Sequence, residues 1–222
     1  MLEVSKLISI PIGKFHIVFN QEVVVQWAIM ISLTILMIWA TRNLKKVPDR
    51  KQTAVEYFYT TIKNLVDSNM GEAYESYIPI FGTLAAFLLV MNLLGLIGIK
   101  PPTQNYSIAL GLALCSFLLI HGNAIKKLGF VHYLLGYGKP FAVMLPINIM
   151  ERAVFPISLS LRLFGNMMAA TVVIDLVYSA LGNFAIGAPV PVHLYFDVFD
   201  GALQTVVFLM LTMIQVKVLP EH

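Results

Sequence analysis

The chain has few charged residues and a single cysteine, and both shortages narrow the class of protein. Only 12% of its 222 residues are charged and 58% are hydrophobic, whereas soluble domains have about 25% charged residues. Polar groups cannot cover such a chain, so lipid is the expected solvent. Cys115 alone cannot form a disulfide within the chain. The net charge of +3 is spread along the sequence and gives no reason to expect a nucleic-acid partner.

Enzyme motifs are also missing from the sequence. It contains no phosphate-binding loop, no zinc-spaced histidine set and no nucleophile elbow. We therefore expect a chain that is not an enzyme by itself and that holds no cofactor or metal. No small-residue cleavage pattern follows the first apolar run, so we expect no removable signal peptide.

Long apolar runs dominate what the sequence does contain. About 20 apolar residues cross the roughly 30 Å of hydrocarbon in a bilayer. This predicts an all-α membrane protein with one membrane domain over residues 1–222. The predicted spans cover residues 22–42, 77–99, 105–127, 140–181 and 192–219.

Residues 51–70 follow the first span and have a different pattern. Apolar side chains recur there at helical spacing, while Gln52, Thr60 and Lys63 fall on other faces. This predicts an amphipathic helix that lies in the plane of the cytoplasmic interface. The apolar positions are Ala54, Val55, Phe58, Ile62, Leu65 and Val66.

The segment 140–181 is too long for an upright crossing, because a helix of that length reaches roughly 60 Å. It either turns back near Gly165 and Asn166 or forms one steeply tilted helix. A single crossing places most basic residues on one side of the bilayer. This positive-inside pattern favours one tilted helix, with the N-terminus outside and the C-terminus in the cytoplasm.

Arg162 lies midway along this segment, with apolar or small neighbours on its N-terminal side. Its guanidinium stays protonated, and an arginine at the bilayer centre costs at least about 2.5–3.5 kcal/mol on insertion. Such a side chain normally faces a polar cavity or an anion, and marks an ion or substrate pathway. The alternative is a structural ion pair with an acid of the same chain, which we favour less.

A polar stripe is predicted along the last span. His193, Asp197, Asp200 and Gln204 are spaced by four, three and four residues, which places them on one face of a helix. The stripe begins at the outer end and reaches the middle of the span. It suits a relay for protons or small cations. A buried hydrogen-bonded seam between helices is the alternative.

Other polar residues of the long segment form two weaker groups. Thr171 and Asp175 are four residues apart towards its outer end, and Asn166 lies one turn from Arg162. Glu151 and Arg152 lie nearer the cytoplasmic end. This pair either lines an aqueous inner pathway or packs as a charge pair near the interface.

Four segments carry a resemblance to the a subunit of F-type ATP synthases. Ile157–Met167 reads ISLSLRLFGNM, which is very similar to the signature of that family. Gly201–Thr212, GALQTVVFLMLT, resembles its last helix. Asn92–Ile97, NLLGLI, and the turn Pro101–Ser107, PPTQNYS, also fit. The similarity extends from the first span to the C-terminus.

The resemblance implies an ion-translocating stator subunit in a bacterial plasma membrane. Its last two helices would form a tilted hairpin against a ring of c subunits, each with one ion-binding carboxylate. Arg162 would attract each arriving carboxylate and separate two half-channels, with Gln204 facing it and Asp197 as an outer acid. The other implied partners are the b subunit of the peripheral stalk and the remaining ATP synthase subunits.

The sequence departs from this family at one position. Many bacterial members carry Glu where this chain has Thr171, and the nearest acid here is Asp175. The outer pathway therefore runs either through Asp175 or through Asp197 and His193 alone. Whether the carried ion is H+ or Na+ stays open.

Two other functions compete with the stator subunit. A self-contained cation channel or secondary transporter would also need intramembrane charges, but the sequence has no visible inverted repeat of the kind common in transporters. A structural membrane anchor would make those charges dispensable.

Overall fold

A computed structural model describes residues 6–12, 15–42, 45, 49–130, 133, 145–182 and 189–221. Five of its helical segments are long and apolar enough to cross a membrane. They are Gln21–Thr41, Glu72–Ile97, Tyr106–Leu128, Pro146–Leu181 and Val190–Val218. The predicted helical fold with five spans is confirmed, and the chain is a multi-pass membrane protein.

A short β-hairpin precedes the first span and was not predicted from the sequence. β1 (Lys6–Ile12) pairs antiparallel with β2 (Phe15–Asn20), with Ser9 opposite Val18. The helix α1 (Gln21–Thr41) begins directly after β2. Hairpin pairing satisfies backbone groups within residues 6–20, where the apolar runs are too short for a spanning helix.

The predicted amphipathic segment is the helix α2 (Arg50–Asn69). Asp49 caps its N-terminus with a hydrogen bond from the backbone N–H of Arg50. Ile62 and Val66 are buried on its apolar face, as the helical spacing requires. Gly71 follows with φ 93°, a left-handed conformation that suits glycine, and the chain turns into the next span there.

The middle spans form the packed core of the molecule. A 3₁₀ turn, Glu72–Tyr77, leads into α3 (Ile78–Leu93), and the 3₁₀ turns Leu94–Ile97 and Pro102–Gln104 connect it to α4 (Tyr106–Leu128). The core residues of these helices pack against residues of the long and last helices. The largest fully buried side chains include Phe81, Leu88, Met91, Leu159, Leu163, Phe208 and Met213.

The long segment is a single helix, α5 (Leu145–Leu181, 37 residues). It continues without a break through Gly165 and Asn166, so the alternative of a reversal there is excluded. Its predicted start at 140–144 and the turn before it lie outside the described residues. α4 packs along α5, and the tilt of α5 relative to a bilayer stays a prediction.

The last span contains a helical irregularity that the sequence analysis did not predict. α6 (Pro189–His193) continues through a π-helical segment, Leu194–Asp200, into α7 (Gly201–Val218). α7 packs against α3. A π-helical turn inserts one residue into the helical repeat, so side chains on its two sides change their relative direction.

α1 stands largely outside this core. Among its described residues only Ile29 is buried, whereas Trp27 and Trp39 are 64% and 60% exposed. A helix that is apolar all round and exposed needs lipid or another membrane helix around it.

Candidate functional site

Arg162 lies near the middle of α5, is half-buried, and is flanked by the exposed Leu161 and the buried Leu163. It forms no hydrogen bond or ion pair with any residue in the part of the chain that the structure describes. The alternative of a structural pair with an acid of this chain therefore finds no partner there. A permanent charge at this depth remains available to another molecule.

One turn further along α5, a polar contact joins the last two long helices. Asn166 Nδ2 donates to Gln204 Oε1 at 2.8 Å. Gln204 is only 2% exposed, and its own Nε2 is buried without a hydrogen-bond partner among the described residues. Unpaired buried donors are rare in proteins. The helix face next to Arg162 therefore has an unused donor at membrane depth.

The C-terminal end of α5 and the start of the last span are joined by a hydrogen-bonded chain of three side chains. Tyr178 OH lies 3.2 Å from His193 Nε2, and His193 Nδ1 lies 2.6 Å from Asp197 Oδ2. His193 and Asp197 side chains are 25% and 6% exposed, and Tyr178 is exposed. The chain thus runs from the surface to a buried acid, which is the arrangement of a proton relay.

The π-helical segment changes part of the predicted polar stripe. His193 and Asp197 contact each other, as their spacing predicts. Asp200 is half-buried and hydrogen-bonds to neither of them, and Gln204 contacts α5 instead. The four residues therefore do not form one continuous row of contacts, because the extra residue in the π turn alters their relative direction.

Thr171 and Asp175 lie on the C-terminal half of α5 but differ in their surroundings. Gln104 donates to the Thr171 hydroxyl, which itself donates to the Met167 carbonyl at 2.9 Å. Asp175 is exposed, and its carboxylate forms no hydrogen bond with a described residue. The structure does not bring Asp175 into contact with His193 or Asp197. Gln104 was not predicted as a site residue, because only the tertiary structure shows that it donates to Thr171.

The N-terminal part of α5 carries Arg152 and the exposed Glu151. Arg152 lies over the Tyr133 ring, with Cζ 5.3 Å from the ring centre. That ring also contacts His121 edge-on at 6.0 Å between centroids. Arg152 is therefore part of an aromatic packing cluster, and Glu151 forms no ion pair with a described residue.

One residue of α3 and one of the 3₁₀ turn that follows it approach the last span. Asn92 is fully buried, and its Nδ2 donates to the Gly201 carbonyl at 3.1 Å and to Thr205 Oγ1 at 3.2 Å. Gly95 lies against the carboxylate of Asp197. The sequence analysis included Asn92 and Gly95 only as part of a similar segment. No spacing rule connects them to residues more than a hundred positions later.

Over the described residues, no group of three or more His, Cys, Asp or Glu side chains could hold a metal ion. The polar groups of the site are instead an unpaired cation, single acids and hydrogen-bonded neutral side chains. Such groups can move a proton or guide a cation.

Known proteins resemble this chain over most of its length. The family described as ATP synthase A chain matches residues 23–217. The chain is similar to subunit a of the ATP synthase of Geobacter sulfurreducens, with 39% identity over 196 residues that cover 86% of this chain and 83% of the relative. It is also similar to subunit a of Moorella thermoacetica, with 34% identity over 91% of this chain and 93% of the relative.

A third relative is the sodium-ion-specific ATP synthase subunit a of Propionigenium modestum. It is 33% identical over 211 residues, which cover 88% of this chain and 72% of the relative. The family match and these relatives extend over nearly all the described spans. The chain belongs to the ATP synthase A chain family, as the non-catalytic membrane stator subunit a of an F-type ATP synthase.

Proposed function

We propose that this subunit couples the flow of H+ or Na+ to rotation of a c-ring, through two offset half-channels separated by Arg162. The observation that supports this most strongly is the unpaired guanidinium of Arg162 at membrane depth. An arginine that pairs with no acid in the described chain is suited to attract acids that another subunit brings past it.

An apolar stripe on α5 supports a ring of c subunits as that partner. Exposed large apolar residues recur at intervals of three and four up to Leu161, and two more follow from Val172, eleven residues or about three turns later, so they lie on one side of the helix. Arg162 directly follows a member of this stripe. A ring surface that is itself apolar between its carboxylates would cover it. The members are Ile147, Met150, Val154, Ile157, Leu161, Val172 and Leu176.

The strength of the attraction suits a moving partner. Opposite unit charges about 4 Å apart attract by roughly 4 kcal/mol at an effective dielectric near 20. This favours release of the ion from a c-subunit carboxylate without trapping the ring. The membrane potential contributes about 2.3 kcal/mol per charge per 100 mV, which is a comparable driving force.

We assign the outer half-channel to Asp197 and His193, with Tyr178 at its outer end. These three are joined by hydrogen bonds. Asp175 and Thr171 are secondary, because Asp175 is exposed and the Thr171 hydroxyl is engaged twice.

Other polar residues have supporting roles in this proposal. Asn166 and Gln204 line the region next to Arg162, and Asp200 continues the outer pathway inward. Glu151 and Arg152 border the inner half-channel. The b subunit, the other ATP synthase subunits and a bacterial plasma membrane, with the N-terminus outside and the C-terminus in the cytoplasm, complete the proposed setting.

The test is Arg162→Ala in the complete ATP synthase, purified and reconstituted into liposomes. We expect ion-driven ATP synthesis to fall below detection while the complex still assembles, because only the charge that interacts with the ring is removed. Subunit composition after purification is the control for assembly. Full retained coupling would exclude the stator role and favour a structural anchor.

A further inference from the structure

The turn after α3 has no side chain at the point where it meets the last span. A Cβ atom placed on Gly95 would lie 2.5 Å from Asp197 Oδ1, 2.6 Å from its Cγ and 2.8 Å from its Oδ2. Real Cβ atoms essentially never approach other heavy atoms so closely. Any larger residue at position 95 therefore competes with the carboxylate for the same volume.

The backbones on both sides of this contact are held together by a neighbouring clamp. Asn92, one turn before Gly95, donates to the Gly201 carbonyl at 3.1 Å and to Thr205 Oγ1 at 3.2 Å. A Cβ on Gly201 would lie only 3.1 Å from the Cβ of Asn92. Because the two helices already touch here, they cannot be closer, and separating them breaks buried hydrogen bonds.

The carboxylate of Asp197 is held on its other side by His193, whose Nδ1 lies 2.6 Å from Oδ2. Its Oδ1 is the atom nearest to the position where a Gly95 Cβ would stand. The Asp197 carboxylate therefore lies between the imidazole of His193 and the backbone of Gly95. A methyl group at position 95 would displace the end of this side chain more easily than the clamped backbones.

We propose that Gly95 is a positioning residue for Asp197, because its missing side chain reserves the volume in which the outer acid rests. This inference rests on the proposed function, in which Asp197 belongs to the outer half-channel. It has a geometric corollary. Since the Cβ position of residue 95 lies 2.6 Å from the Asp197 Cγ, an aspartate at residue 95 has a rotamer that brings its carboxylate into the volume of the Asp197 carboxylate once that side chain is removed.

The first test compares Gly95→Ala with the matched control Gly111→Ala in the reconstituted complex. Gly111 lies in α4, and a Cβ there meets no atom within 4 Å. We expect at least about a tenfold loss of ion-driven ATP synthesis for Gly95→Ala and a rate within twofold of the wild type for Gly111→Ala. A wild-type rate for Gly95→Ala would overturn the inference.

The second test separates positioning of the acid from simple packing. Asp197→Gly is compared with the double variant Gly95→Asp, Asp197→Gly, in which the carboxylate comes from the facing turn. We expect the double variant to exceed Asp197→Gly at least about tenfold in ATP synthesis. A purely structural role for Gly95 gives no recovery, and an assembled double variant without recovery would overturn the inference.

Arg162→Ala is measured in the same preparations. Retained coupling in that variant overturns the proposed function itself. Loss of coupling there, with wild-type rates in Gly95→Ala, overturns only the role of Gly95. If Gly95→Ala prevents assembly, the double variant decides the question alone.

Discussion

Two arginines on the same helix, Arg162 and Arg152, have opposite surroundings. Arg162 has no hydrogen bond or ion pair with a described residue, whereas Arg152 lies over Tyr133 within an aromatic cluster that includes His121. Both carry a permanent charge in an apolar helix. The difference shows that an intramembrane charge alone does not identify a pathway residue.

The surroundings of each charge indicate what it interacts with. A cation over an aromatic ring gains about 0.5–2 kcal/mol within its own chain, and this favours a structural contribution from Arg152. A cation without such a partner among the described residues is available to another molecule. The predictions below use variants that separate these two situations.

The largest contrast is expected between Arg162→Gln and Arg152→Gln. We expect Arg162→Gln to lower ion-driven ATP synthesis more than about a hundredfold, equivalent to roughly 2.7 kcal/mol. Arg152→Gln should lower ATP synthesis about two- to fivefold, because this change removes packing against Tyr133 and leaves the contact with the c-ring intact. Rates in liposomes, normalised to assembled complex, check this. Equal losses in the two variants would contradict the comparison.

The next effect concerns two acids, one near the C-terminal end of α5 and one near the start of the last span. Asp197 is buried and hydrogen-bonded to His193, whereas Asp175 is exposed. We therefore expect Asp197→Asn to slow ATP synthesis at least about tenfold and Asp175→Asn less than about twofold. The measurement is the rate of synthesis as the outside ion concentration is varied. Equal, negligible effects would remove both acids from the relay.

A smaller effect is expected at a buried polar residue that is fully paired. Asn92→Leu removes the hydrogen bonds to Gly201 and Thr205 and should destabilise the subunit by about 1–2 kcal/mol. Thermal unfolding of the purified complex measures this loss. Thr212→Val is the control, because among the described residues the Thr212 hydroxyl bonds only the Phe208 carbonyl of its own helix. If Thr212→Val destabilises the subunit as much as Asn92→Leu, the hydrogen bonds from Asn92 to Gly201 and Thr205 have no special role in joining the two helices.

The smallest effect is expected at the surface pair of Lys63 and Glu75, 2.8 Å apart and 40% and 54% exposed. The hydrogen bond and then the charge of Glu75 raise the pKa of Lys63 above its usual 10.5. The resulting stabilisation is therefore present below pH 10.5 and is lost as pH rises through the raised pKa. Exposed pairs contribute little, so Lys63→Met should change the melting temperature by less than about 2 °C at pH 7. Any difference should disappear as the pH rises through the raised pKa of Lys63. A large decrease in the melting temperature of Lys63→Met at neutral pH would contradict the small contribution expected of this pair.

Much of the fold and part of the site could be predicted from local patterns. The five spans follow from apolar runs of sufficient length. The burial of Ile62 and Val66 on α2 follows from helical spacing. His193 and Asp197 were predicted to share a helix face, and their contact at 2.6 Å agrees with a four-residue spacing.

Other parts of the site could not be predicted in this way. The π-helical segment Leu194–Asp200 has no sequence period of its own, and it separates Asp200 and Gln204 from the predicted stripe. The hairpin β1–β2 was missed because its runs are short and precede the first apolar span. In the π-helical segment and in the hairpin, the conformation depends on hydrogen bonds between backbone groups. It does not depend on a periodic pattern of apolar side chains.

By itself, the sequence determined that this chain lies in lipid, crosses it five times and carries Arg162 at its depth, because solvent preference and helix length are local properties. Only the tertiary structure decided which of those charges have partners, and which backbone leaves room for Asp197. These are distances between residues such as Gly95 and Asp197 that are far apart in the chain, and helical spacing along one segment contains no information about them.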